Sequence, residues 1–152
     1  MGTLWEFGGI NKIFAKEIFL RLSGKYRINR IIDNYGYGEG IAYFLLKSLN
    51  ELIYKEELQI HYNDYDHQIL ANKEYRYILE NNNIVKYFAK AENSLFHSLD
   101  FIDNSRATGS HLCGSDEYNA TYIFLNPDSF TLNYRVLGPQ KDYNINTVFN
   151  RI

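Results

Sequence analysis

The sequence is short of cysteine, proline, tryptophan and methionine. One Cys in 152 residues excludes an internal disulfide and a structural zinc site built on several thiolates. Two Pro and no biased tract exclude a long disordered or proline-rich segment. No apolar run nears the roughly 18 residues of a membrane-spanning helix. The longest run, Ile41 to Leu46, has the length of a strand. No charge dominates either. Sixteen basic and eighteen acidic side chains leave a net charge of −2, where a nucleic-acid binder needs a basic surface. Met1 to Phe7 has no basic region ahead of an apolar stretch, so no secretory signal is expected. A lone thiol without such a signal fits a reducing cytoplasm. The length suits one domain over residues 1–152, and no linker or repeat divides it.

Aromatics are plentiful, with 14 Tyr and 10 Phe against a single Trp. Hydrophobic residues make up 45%, enough for a substantial core. The chain changes period once. From about residue 7 to 22 the apolar spacing is helical, with Ile10, Phe14 and Ile18 four apart and Ile13, Glu17 and Arg21 near that face. Asn11 is placed to cap the helix, and Ser23-Gly24 to end it.

From about residue 25 to 150 the period is two. Ten strands are expected, beginning near Tyr26, Ile41, Leu52, Lys73, Ile84, Leu95, Arg106, Tyr118, Phe130 and Tyr143. Tyr35-Gly36-Tyr37-Gly38-Glu39-Gly40 reads as a turn-rich break, and Asn81-Asn82-Asn83 as a hairpin turn. The connections are short and no helix interrupts the strands, so the pairing should be antiparallel. A long meander has unpaired edges unless it closes. The expectation is an all-β fold: a closed antiparallel up-and-down barrel of about ten strands with one N-terminal helix.

Two resemblances follow from motifs. Gly24-Lys25-Tyr26 resembles the N-terminal Gly-x-Trp signature of the lipocalin and fatty-acid-binding superfamily, with Tyr for Trp. Arg151 resembles the late Arg that packs across that aromatic in lipocalins. A broader set of motifs carries the second resemblance. These are Phe96-His97-x-Leu99-Asp100, His111-Leu112-Cys113-Gly114-x-Asp116-x-Tyr118, and Gly138-Pro139-x-Lys141-Asp142-Tyr143. They resemble an uncharacterised, mainly bacterial family of domains of unknown function with a lipocalin-like (calycin) barrel. The chain departs from its pattern with Tyr134 in place of a usual Trp, Ser115 in place of Pro, and Gln140 in place of a basic residue. The resemblance implies a barrel and no particular activity.

Candidate polar contacts for a ligand are His97, His111, Tyr118, Tyr134 and Arg135. His97 sits on an apolar face with Leu95, Leu99 and Phe101, opposite Asp100 on a regular strand. His111 and Cys113 share a face and offer an activated-thiol reading. The blander reading makes Cys113 a small buried hydrophobe, with Asp116 capping the Gly114-Ser115 bend. Arg76 and Arg135 are mid-strand cations, useful for a carboxylate only if they face inward. No metal is expected, because His61, His67, His97 and His111 lack ligand spacing. No cofactor is implied, although a haem held by one His, as in some lipocalin-like barrels, stays open.

The function expected is binding of a small, partly apolar or aromatic molecule inside the barrel. The alternatives are a small lyase, isomerase or decarboxylase on the same barrel, or a packed barrel acting as a protein-interaction module. No nucleic-acid or membrane partner is implied, and a homodimer through tyrosine-rich strands is left open.

Overall fold

The computed structural model describes residues 14–90 and 94–152. Helix α1 covers 14–22. The expected start of the helix near residue 7, its Asn11 cap, and Ile10 and Ile13 lie outside the described residues. Ala15, Ile18, Phe19 and Leu22 are its buried residues, at the i, i+3, i+4, i+7 spacing of one helical face. Glu17 was expected near that face and is instead exposed.

Ten strands follow: β1 Gly24–Ile32, β2 Gly36–Ser48, β3 Glu51–Tyr62, β4 Gln68–Glu80, β5 Asn83–Phe88, β6 Leu95–Asp103, β7 Arg106–Cys113, β8 Asp116–Asn126, β9 Ser129–Gly138 and β10 Lys141–Arg151. Each pairs antiparallel with the next, and β10 returns to β1 through Tyr26↔Arg151 to Ile32↔Ile145. The barrel is closed.

The β4–β5 hairpin turns as its asparagines predict. Asn81 and Asn82 have φ of 49° and 61°, the left-handed pair that a two-residue hairpin loop requires. The turn-rich reading of Gly36 to Gly40 needs correction. These residues lie in β2, and the turn falls earlier, at 33–35, with Asn34 at φ 67°. The glycines serve close approach. A Cβ on Gly40 would run into the Glu57 carbonyl of β3, so only Gly lets β2 coil tightly there.

Alternate connections define two ends of the barrel. At the end entered from α1, Tyr26, Phe44, Phe130 and Phe149 fill the interior. Phe130 and Phe149 stack at 4.2 Å, and Tyr26 sits edge-on to Phe44 and Phe130 at 5.7 Å each. The buried face of α1 joins this cluster. Each large side chain so buried contributes roughly 1.5–3 kcal/mol.

Arg151 clips helix to barrel. Its guanidinium lies 4.8 Å over the Tyr26 ring and donates to the carbonyls of Arg21, Ser23 and Pro127. Its Nε pairs with Asp128, and the Tyr26 hydroxyl donates to the Leu22 carbonyl at 2.7 Å. The Gly24-x-Tyr26 and Arg151 motifs therefore meet in space. Replacing Arg151 with Met should lower stability by about 2 kcal/mol. It should also speed amide exchange in 14–22 more than in β3. Equal protection of the helix in both proteins would contradict the clip.

Candidate functional site

Inward positions of a strand recur every second residue, so a polar or charged side chain among apolar inward neighbours lies inside the barrel. Four such positions converge in its middle. Arg30 follows Tyr26 and Ile28 on β1. Glu56 sits between Tyr54 and Leu58 on β3, Lys86 between Ile84 and Phe88 on β5, and Thr147 between Ile145 and Phe149 on β10. Glu56, Lys86 and Thr147 are all buried.

Arg30 holds Glu56 by two parallel bonds, Nη1 to Oε2 at 2.8 Å and Nη2 to Oε1 at 2.9 Å. Its Nε donates to Thr147 Oγ1 at 2.7 Å, and Tyr54 Oη donates to Glu56 Oε1 at 2.6 Å. Burial pushes the Glu56 pKa up, but the Arg30 hydrogen bonds and charge win and hold it below the usual carboxylate value.

Among the described residues Lys86 has no carboxylate at ion-pair distance. Its ammonium lies 4.1 Å from the Tyr75 ring centroid, 5.0 Å from Phe96, 5.3 Å from Tyr77 and 5.4 Å from Tyr134. Ring faces favour the charged form. Burial opposes it and brings the Lys86 pKa down to about 7; the Glu56 charge resists that fall and Arg30 adds to it.

Lys86 Nζ donates to Tyr134 Oη at 3.0 Å, and His97 Nε2 is 3.0 Å from the same oxygen. His97 Nδ1 is 3.2 Å from the Ser98 carbonyl, which can only accept. Nδ1 therefore carries the proton, and Tyr134 donates to Nε2. Burial and then the Lys86 charge push the His97 pKa down to about 3, so its ring is neutral at pH 7. The order is Lys86 to Tyr134 to His97 to Ser98. Gly109 of β7 makes room for it, since a Cβ there would lie 2.7 Å from His97 Nδ1.

A void of about 70 Å³ is lined by Arg30, Glu56, Lys86, Tyr75, Tyr77 and Tyr134, among others. It shares Arg30, Glu56, Lys73 and Ile145 with a vestibule of about 390 Å³ that reaches Tyr35, Tyr62 and Tyr143 at the rim away from α1.

Of the residues expected from sequence, His97 and Tyr134 are brought together in this chain of hydrogen bonds. Tyr118 and His111 are partly buried near the rim, their rings 6.4 Å apart, with His111 against Phe96 at 5.0 Å. Arg135 takes the outer face. Its side chain is 41% exposed and pairs with Asp142, because inward Tyr134 and Val136 flank it on β9. Arg76 also points outward, to Glu51 and over Tyr87. Cys113 is exposed rather than a buried hydrophobe. Asp116 opens β8, where it accepts from Lys141 Nζ at 2.8 Å. A haem does not fit on His97, whose two ring nitrogens are engaged and whose neighbouring void is small. Among the described residues no group of three or more His, Cys, Asp or Glu could hold a metal ion, and no helix is long and apolar enough to cross a membrane.

Sequence reasoning missed Arg30, Glu56 and Lys86 as site residues. The signal was present: each is a charge at the inward phase of an apolar strand face.

These features define a closed β-barrel with a charged, aromatic interior. The chain belongs to a family of unknown function, DUF6314, whose profile spans residues 22–151. No curated protein matches it in sequence. It is similar in structure to the S-type phycobiliprotein lyase CPES from Guillardia theta, with TM-score 0.66 and 8% identity over 96% of this chain and 97% of that one. A second similar structure is EF1p2_mFAP2b bound to DFHBI, with TM-score 0.53 and 8% identity over 91% and 99%. At these identities the likeness shows the barrel fold.

Two predictions follow from the charges. Glu56→Leu should cost about 3–5 kcal/mol by stranding Arg30, and adding Arg30→Met should restore most of it. A double variant as unstable as the single one in urea melts would refute this. The pH dependence should have two limbs. Lys86 titrates near 10.5 unfolded and about 7 folded, and His97 near 6.5 and about 3. In both windows the unfolded chain binds more protons, so stability should fall as pH drops from about 10.5 to 7 and again from about 6.5 to 3. Lys86→Met should flatten the upper limb and His97→Phe the lower. Unchanged slopes would show that other groups set them.

Proposed function

We propose that the barrel binds, non-covalently, a small and partly aromatic molecule that carries negative charge. The observation behind this reading is the imbalance of charge around the cavity. Arg30, Lys73 and Lys86 line the void and its vestibule, against the single carboxylate of Glu56. Arg30 already holds that carboxylate, which leaves the two lysines without a counterion from the cavity wall. A bound anion would supply it.

The walls suit an aromatic body. Tyr54, Tyr75, Tyr77 and Tyr134 surround the void, and Tyr35, Tyr62 and Tyr143 the vestibule. EF1p2_mFAP2b, a barrel of similar fold bound to DFHBI, is in keeping with a guest in this architecture. A barrel packed solid and used only from outside would have no need of such a cavity. Within this reading the protein works in the cytoplasm, where the exposed Cys113 thiol stays reduced.

The test is a charge series of one shape: 2-naphthoate, 2-naphthamide and 2-naphthylmethylamine in thermal melts. The naphthoate should raise the melting temperature most and the amine least. A ligand at 100 times its Kd adds about 2.7 kcal/mol to native stability. Lys86→Met should abolish the preference for the anion. Equal shifts from all three, or none from any, would remove the anion-binding reading.

A further inference from the structure

We propose that Lys86 is a nucleophile that captures an aromatic aldehyde as a reversible imine inside the barrel. This deepens the ligand-binding reading and rests on the cavity being reached from the rim. The placement of Lys86 is the first ground. Its side chain is buried, forms part of the wall of the void, and is held among four rings that restrict its approach. The void takes only a small group, while the vestibule beyond it is several times larger. A carbonyl head would reach Nζ with its ring and acidic substituent towards Lys73.

The second ground is the proton path. Imine formation needs a neutral amine, a new N–C bond and the loss of the carbonyl oxygen as water. Nζ attacks the carbonyl carbon, and the C=O π pair goes to oxygen. Both amine protons must then reach that oxygen, which leaves as water as the C=N bond forms. Tyr134 Oη, 3.0 Å from Nζ, can give a proton to the oxygen and take one from nitrogen. His97 Nε2, 3.0 Å from the same hydroxyl, stays neutral and orients that phenol by accepting its hydrogen bond. No oxidant or reductant is required.

An ordinary lysine is ammonium at neutral pH. Around Lys86 the charged and titratable groups are Arg30 on β1, Glu56 on β3, Lys73 and two tyrosines on β4, His97 on β6 and Tyr134 on β9. Burial outweighs the one carboxylate among them and brings the amine down to about 7, so that a sizeable fraction is neutral near pH 7.

The experiment treats the full chain with 4-carboxybenzaldehyde and cyanoborohydride at pH 6 and 8, followed by peptide mass mapping. One adduct is expected, on Lys86, formed several-fold faster at pH 8. Tyr134→Phe, which keeps the ring, should slow it by about 10- to 100-fold. Adducts spread over exposed lysines such as Lys47 and Lys55, with Lys86 unmodified, would overturn the proposal. The carbonyl-free 4-(hydroxymethyl)benzoate separates the two readings in a thermal melt. Stabilisation by it without a Lys86 adduct sinks the imine and leaves anion binding intact. An adduct without such stabilisation keeps the imine and sinks the non-covalent reading. Neither effect overturns both.

Discussion

Closure of β10 onto β1 is the constraint on which everything else depends. It removes both sheet edges and commits every second residue to one enclosed space. Ten strands enclose more volume than eight, and side chains must fill it or leave a cavity. The chain does each at a different end. Next to α1 the filling is aromatic and the helix caps it, with Arg151 tying three carbonyls and the Tyr26 face into one joint. Towards the opposite rim the side chains stop short of each other, and the void and vestibule remain.

The charges between these halves form two groups. Glu56 is fully committed: Oε1 accepts from Arg30 and Tyr54, and Oε2 from Arg30. Breaking such a pair is costly, although its net contribution to stability is small. Lys86 is the opposite case, a buried amine steadied by ring faces and one phenol. Nothing in its position serves packing that Leu or Met would not serve as well. A lysine there fits a role in which its charge or its lone pair is used.

Most of the fold was legible because period and punctuation agree along the chain. The alternation marks all ten strands, although β2 and β4 each begin about five residues before their expected starts at Ile41 and Lys73, and Asn81-Asn82 marks a turn by its tolerance of positive φ. Period also separates His97 from Asp100, and the structure buries the first and exposes the second. It could not say which face of β9 is inward, because both carry apolar groups; hence the outward position of Arg135. Gly36, Gly38 and Gly40 read as a turn because composition does not distinguish a glycine that bends a chain from one that admits a neighbouring backbone. The β5–β6 irregularity at Lys86/Tyr87 is a third case. It brings both Phe96 and His97, adjacent in sequence, against Tyr134 at 5.7 and 5.9 Å. Strict alternation forbids that, and no local signal announces the bulge.

The rim motifs gain a physical meaning from this arrangement. Lys141 of β10 reaches Asp116 of β8, and a Cβ on Gly138 would collide with that carboxylate. The β7–β8 and β9–β10 hairpins are thereby held together on one side of the mouth. The vestibule is lined mainly from β1, β3 and β4, with the first residues of β10 and Tyr35 of the β1–β2 turn. Lys73 lies where void, vestibule and an outer cleft meet, and it is exposed. On the proposed reading an anion arriving through the vestibule would meet the exposed Lys73 first, in water, where the interaction is weak and screened. It would meet Lys86 second, in the low-dielectric interior, where the same charge counts for more. That gradient would draw a guest inward without a moving part and place its strongest contact at the buried Lys86.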